Sequence, residues 1–160
     1  MAYLIKAIGG LAMSPRRSIV FLISDEHDLN AASTFDSMND ATGKRSKQQR
    51  TVLARFDFWI NGGVKDNWFH GWPNDRKYAN CFTFKWSYRN VNQRLYGYLC
   101  NPLRKTNPRF QLCVLHSHCE KMQWNTEPGF LDLAVKLSAT ADVLKAIRES
   151  FPDSDPEIPP

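Results

Sequence analysis

Three segments between Cys81 and His118 decide the reading of this chain: Cys81-Phe-Thr-Phe-Lys-Trp86, Arg94-Leu-Tyr-Gly-Tyr-Leu-Cys100 and Phe110-Gln-Leu-Cys-Val-Leu-His-Ser-His118. The first alternates apolar and polar side chains, and all three are short and separated by linkers that suit antiparallel neighbours. They predict a three-strand meander.

Upstream, Arg17 to Ser24 contains Ser-Ile-Val-Phe-Leu-Ile between Pro15 and Asp25, which reads as the first strand. Leu29, Ala32, Phe35 and Met38 recur at helical spacing within Asp28 to Asp40, ahead of Gly43. From Ser46 to Ile60 the residues Val52, Leu53, Phe56 and Ile60 mark a second helix, which Gly62-Gly63 stops. The segment Val64 to Asn80, with Trp68, Phe69, His70, Gly71, Trp72 and Pro73, reads as an aromatic loop. Downstream, Thr126 is placed to cap a helix carrying Phe130, Leu131, Ala134 and Leu137, and Thr140 one carrying Val143, Leu144, Ile147 and Phe151. The fold class expected is therefore α+β: a strand and helical hairpin, an antiparallel meander, then helices.

At 160 residues the chain fits one domain, assigned to 14–151, with an acidic, proline-rich flexible tail over 152–160. Residues 1–13 read as a dispensable extension, because Tyr3 to Ala12 is short, Lys6 interrupts it, and Met13 is a second plausible start. A hydrophobic content of 42% excludes a disordered chain, and no apolar run approaches the ~20 residues of a membrane span. Cysteines 81, 100, 113 and 119 form no CxxC pair and nothing ahead of them reads as an export signal, so reduced thiols and a cytoplasmic location are expected.

The net charge of +5 is concentrated. Residues 76–121 hold nine Lys or Arg against one acid, while 1–75 hold nine against eight and 122–160 three against seven. A meander with that balance suits a polyphosphate, and Trp86, Tyr88, Tyr96 and Tyr98 interleave rings that could stack on bases. The competing readings are a solvated basic face and aromatics that are simply core, which at least half of the four are expected to be. Period-two geometry puts Arg94, Tyr96 and Tyr98 on one strand face, with Arg94 on the polar side. His116 and His118 would point the same way as Phe110, Leu112 and Val114, with His118 the more exposed.

The run His116-Ser-His-Cys-Glu-Lys121 packs two imidazoles, a thiol and an ammonium into six residues at a strand end. Histidine can exchange protons near neutrality while Lys and Arg stabilise charge on a scissile phosphate, so metal-free RNA cleavage needs no cofactor here. Zinc on Cys113, His116, His118 and Cys119, with Cys81 or Cys100 from a neighbouring strand, is the alternative. Spacing disfavours it, because Cys113 and His116 leave opposite faces of a regular strand. His70 is read as a packing residue. No GxGxxG, GKS/T, GxSxG or HExxH pattern occurs.

Arg94-Leu-Tyr-Gly-Tyr, the strand Phe-Gln-Leu-Cys-Val-Leu, Lys121, and Thr126 before a helix together resemble the carboxy-terminal half of RelE/HigB-type toxins of type II toxin-antitoxin systems. The resemblance implies an initial strand and helical hairpin before an antiparallel sheet, cleavage of messenger RNA on the ribosome, and a cognate antitoxin as partner. It places Arg94 at the scissile phosphate, with Lys85 one strand earlier and Lys121 after the last strand, and His118 is the candidate for proton transfer. Arg89, Trp86, Tyr96, Tyr98, Arg104, Lys105 and Arg109 make up the expected RNA-binding set. The chain departs from the family in its length, its aromatic 64–80 segment and final helices without tyrosine. A non-catalytic nucleic-acid or protein-binding module with the same basic sheet, or a zinc-stabilised interaction domain, are the alternative functions.

Overall fold

The computed structural model describes residues 2–12, 14–25, 28–120 and 127–153. Lys121, Thr126, Met13 and the tail beyond Asp153, all used in the sequence reading, lie outside them. The protein is α+β, and the described residues form a six-stranded mixed sheet and four helices. In chain order these are β1 (Tyr3–Ala7), β2 (Arg17–Ser24), α1 (Ala31–Asp36), α2 (Lys47–Ile60), β3 (Phe69–Gly71), β4 (Cys81–Tyr88), β5 (Val91–Cys100), β6 (Gln111–Glu120), α3 (Glu127–Ser138) and α4 (Ala141–Ser150).

The sheet order is β1-β2-β6-β5-β4-β3, with β2 and β6 parallel and every other pair antiparallel. Helices cover both faces. One layer is α1 and α2 over Ile19, Phe21, Phe84, Trp86, Leu95 and Leu115, and the other is α3 and α4 over Val20, Leu22, Tyr96, Tyr98, Leu112 and Val114. This explains the unbroken apolar run of β2, since a central strand buried on both sides has no use for polar alternation.

Local chemistry accounts for the helices. Ser46 caps α2 by accepting the Gln49 amide at 3.1 Å, and α2 buries Val52, Phe56, Trp59 and Ile60 on one side. Phe56 meets Phe84 edge-on with ring centroids 4.8 Å apart, the centre of an aromatic cluster that includes Phe35, Trp59 and Phe82. Arg17 ties the layers together: its Nη1 donates to the Trp59 carbonyl at 2.6 Å and its Nε to Gln111 Oε1 at 3.2 Å.

Two segments differ from the sequence reading. Tyr3–Ala7, within the stretch taken as dispensable, is β1: it pairs along its whole length with β2 and packs under α4, and Lys6 bonds Asp36 at 2.6 Å. Phe69–Gly71, taken as loop, is an edge strand on β4, too short for its alternation to show. Among the described residues no helix is long and apolar enough to cross a membrane.

The β5–β6 pairing contains the irregularity that matters most. Tyr96 faces Ser117 but Gly97 faces Leu115, so His116 is an extra residue on β6, a β-bulge. Gly97 permits the close approach: a Cβ there would collide with the Val114 carbonyl oxygen. Gly97→Ala is therefore expected to destabilise the fold by about 1–3 kcal/mol, read as a lower urea midpoint with an unchanged m-value.

Candidate functional site

Lys85 and Arg94 are direct partners across the β4–β5 ladder, and Cys119 lies opposite Arg94 on its other side. Strand alternation puts Arg94 on the same face as Tyr96, the side covered by α3. Arg94 is half-buried and its Nε has no hydrogen-bond partner among the described residues. Lys85 donates through Nζ to the Asp66 carbonyl, and its own carbonyl accepts from Arg55 Nη1. Like charges directly opposite each other on a sheet repel, so an anion bound between them would relieve the ladder.

Tyr96, next along this face, is fully buried; its hydroxyl donates to Glu127 Oε1 at 2.9 Å and its ring stacks on Phe130 at 5.0 Å. Burial, reinforced by Glu127, pushes its phenol far above the ordinary range, so it serves as a donor rather than a base.

His118 is on the other side of the sheet. Beyond the bulge the alternation of β6 is reversed, so Ser117 and Cys119 take the α3 face while His118 lies opposite Leu95 on the α1–α2 face. There its Nε2 is 2.7 Å from Gln93 Oε1, its ring centroid is 5.9 Å from that of Trp86, and Asn30 clamps its backbone, accepting from its amide at 2.8 Å. Burial lowers its pKa against a smaller upward pull from Glu120. This corrects the expectation that His118 follows Leu112 and Val114: one inserted residue separates it from Arg94 by the thickness of the sheet. Of the two histidines His118 is the more exposed, as half-buried against a fully buried His116.

The rings expected to stack on bases are mostly structural. Trp86 is 3% exposed, with its Nε1 donating to Gln48 Oε1 at 2.9 Å, and Tyr96 and Tyr98 are 0% and 2% exposed; only Tyr88 of the four is open to solvent. A base cannot reach a ring covered on both sides. The expected cations also divide. Arg89 sits in the β4–β5 turn near Lys85 and Arg94, whereas the exposed Arg104, Lys105 and Arg109 belong to the β5–β6 connection. Arg94 and Cys100 are separated by about 20 Å of strand at the usual rise per residue. The basic segment thus forms two separate cationic surfaces at opposite ends of β5.

Arg89 and Asn90 both have positive φ, 51° and 63°, which makes the β4–β5 connection a two-residue type I′ turn. Among the described residues no group of three His, Cys, Asp or Glu side chains comes together as a metal site. Cys113 points to the α1–α2 side while Cys81 and Cys119 pack on the other, which separates the thiols proposed as zinc ligands. Asn30, Gln93 and Gln48, which fix His118 and Trp86, were not singled out from sequence; Gln93 was accessible in principle, since alternation from Arg94 turns it to the opposite face. Comparison with protein-family models, curated proteins and solved structures gives no match.

His116 supplies a pH signature. Burial drives its pKa down to about 4 from 6.5, with only a partial counter-effect from the Phe130 backbone. A histidine held neutral in the fold binds fewer protons than in the unfolded chain between those values, so its stabilisation is present above pH 6.5 and lost as pH falls toward 4. Urea titrations should show stability falling by up to about 3 kcal/mol across that window, and the fall should flatten in His116→Gln.

Proposed function

We propose that this chain is an RNA-directed domain of the RelE/HigB toxin type, in which Lys85 and Arg94 grip the phosphate of messenger RNA on the ribosome and a cognate antitoxin holds the protein inactive. The observation that carries the reading is the direct opposition of the two cations on β4 and β5, with Arg94 Nε free of any described partner. From β2 onward the order of strand, two helices, antiparallel strands and helices supports it, since the resemblance implies an initial strand and helical hairpin before an antiparallel sheet; β1 is an addition ahead of that order. Lys121, next in the sequence after β6, is the third cation of the proposal.

Cleavage in this scheme is metal-independent. The 2′-hydroxyl attacks phosphorus, the new 2′-O–P bond forms as the bond to the 5′-oxygen breaks, and the hydroxyl proton passes to that leaving oxygen. Arg94 and Lys85 stabilise the charge that builds on the phosphate oxygens. His118 takes no part in the proposal, since the β-sheet stands between its ring and Arg94.

That separation favours one second reading: a module that docks RNA on the same cation pair and leaves it intact. Induced expression distinguishes them. Growth arrest and shortened transcripts support the toxin, and salt-dependent RNA binding with full-length transcripts supports the docking module. In the toxin, Arg94→Ala should lower cleavage by about 100- to 1000-fold while His118→Ala retains it. Loss of cleavage in a well-folded His118→Ala protein, with Arg94→Ala active, would overturn the assignment.

A further inference from the structure

Where β5 ends, away from Arg94, a cleft of about 930 Å³ opens between the β5–β6 connection and the α3–α4 corner. A smaller depression of about 120 Å³ adjoins it along α3, and the two share Asn80, Tyr98 and Ser138, so together they make one groove. Arg104 and Lys105 of the connection and Arg148 of α4 line the wide part, while Arg76 and Lys77, ahead of β4, line the narrow part. All five are exposed. Lys77 is bound to Asp132 at 2.9 Å, but Arg76, Arg104, Lys105 and Arg148 form no ion pair among the described residues.

The acid in the lining is Asp153, and its carboxylate is committed: Oδ2 accepts from the Lys105 amide at 2.8 Å, and Oδ1 accepts from the Thr106 amide at 3.0 Å and the Thr106 hydroxyl at 2.8 Å. A merely solvated basic face intersperses its charges with acids, whereas here four unpaired cations line one continuous concavity. The apolar part of the lining is closed to a ligand, since Tyr98 and Phe110 are 2% exposed and Ile147 is 3% exposed. The groove thus presents positive charge without a ring on which a base can stack. Phosphate contacts hold a strand without reading its sequence, and an elongated row of cations suits a chain of phosphates better than a single one.

We propose that this groove binds the sugar–phosphate backbone of an RNA strand, independently of base sequence, through Arg76, Arg104, Lys105 and Arg148. The proposal rests on the reading of the chain as RNA-directed and adds a second contact to it: the Lys85–Arg94 pair holds one phosphate, and the groove holds a stretch of the same strand away from it. At about 3.4 Å per stacked nucleotide, the roughly 20 Å of β5 between the two surfaces corresponds to about six nucleotides. A strand of about 12 nucleotides is therefore long enough to engage both.

Fluorescence anisotropy of labelled oligouridylate and oligoadenylate of that length, titrated with the full chain at several salt concentrations, tests it. Each phosphate contact on a single strand contributes about 0.7 to the slope of log K against log salt. The triple variant Arg104→Ala/Lys105→Ala/Arg148→Ala should lower the slope by about 2 and weaken both oligomers equally, by about tenfold or more at about 0.1 M salt, with an unchanged urea midpoint. Arg76→Ala should lower the slope by about 0.7. Lys136→Ala, an exposed change on α3 outside the groove, should leave slope and affinity as they are. The proposal is overturned if the triple variant keeps the wild-type slope, if Lys136→Ala lowers the slope as far as Arg76→Ala does, or if the triple variant weakens one oligomer and spares the other. A triple variant that binds like wild type beside an Arg94→Ala protein that does not bind overturns the groove and keeps the cation pair. A lowered slope in the triple variant, with binding and cleavage intact in Arg94→Ala, keeps the groove and removes the pair. Absence of RNA binding by the wild-type chain overturns both.

Discussion

The pairing of β5 with β6 around Gly97 governs what this molecule can do. β6 inserts one residue, His116, and β5 accommodates the distortion because Gly97 presents no side chain to the Val114 carbonyl. Everything beyond that point on β6 is turned over. Without the bulge His118 would stand beside Arg94 and Tyr96; with it His118 is held by Gln93, Trp86 and Asn30 on the far side. A single inserted residue thus separates a histidine from a pair of opposed cations, and it does so with His116 sealed in the interior at the point of insertion.

The second constraint is that helices cover both faces of the sheet. A sheet open on one side could offer Tyr96, Tyr98 and Trp86 to a ligand, but here those rings complete the two cores. Function is thereby pushed to the strand ends. At one end Lys85 and Arg94 stand opposite each other, two residues along β5 from the Tyr96 that bonds Glu127 of α3; at the other the β5–β6 connection and the α3–α4 corner leave a cleft with Tyr98 at its side. The positive charge of residues 76–121, continuous in sequence, is discontinuous in space.

The meander, β2 and the second helix were legible in the sequence because each carries a strong local signal: alternation in Cys81–Trp86, the β-branched run of β2, and the apolar spacing of α2 with its Gly62-Gly63 stop. β1 and β3 were not. Both are short edge strands whose existence depends on partners distant in the chain, Val20–Ser24 for β1 and Phe82–Phe84 for β3. The cations of the candidate site were legible by type and by strand, and the register that opposes Lys85 to Arg94 follows from the tight Arg89–Asn90 turn. The side on which His118 lies was not, because a bulge has no periodic signature and reverses every assignment made by alternation beyond it. The cleft beside Tyr98 depends on α4 folding back over the sheet, a tertiary event that no local pattern encodes.

The central claim, that the bulge at His116 turns His118 away from Arg94, is tested most directly by nuclear Overhauser contacts from the His118 ring in the full chain. The account predicts contacts to the Trp86 indole and the Gln93 side chain, and none to Tyr96 or Phe130. Contacts from that ring to Tyr96 or to the Arg94 side chain would contradict it.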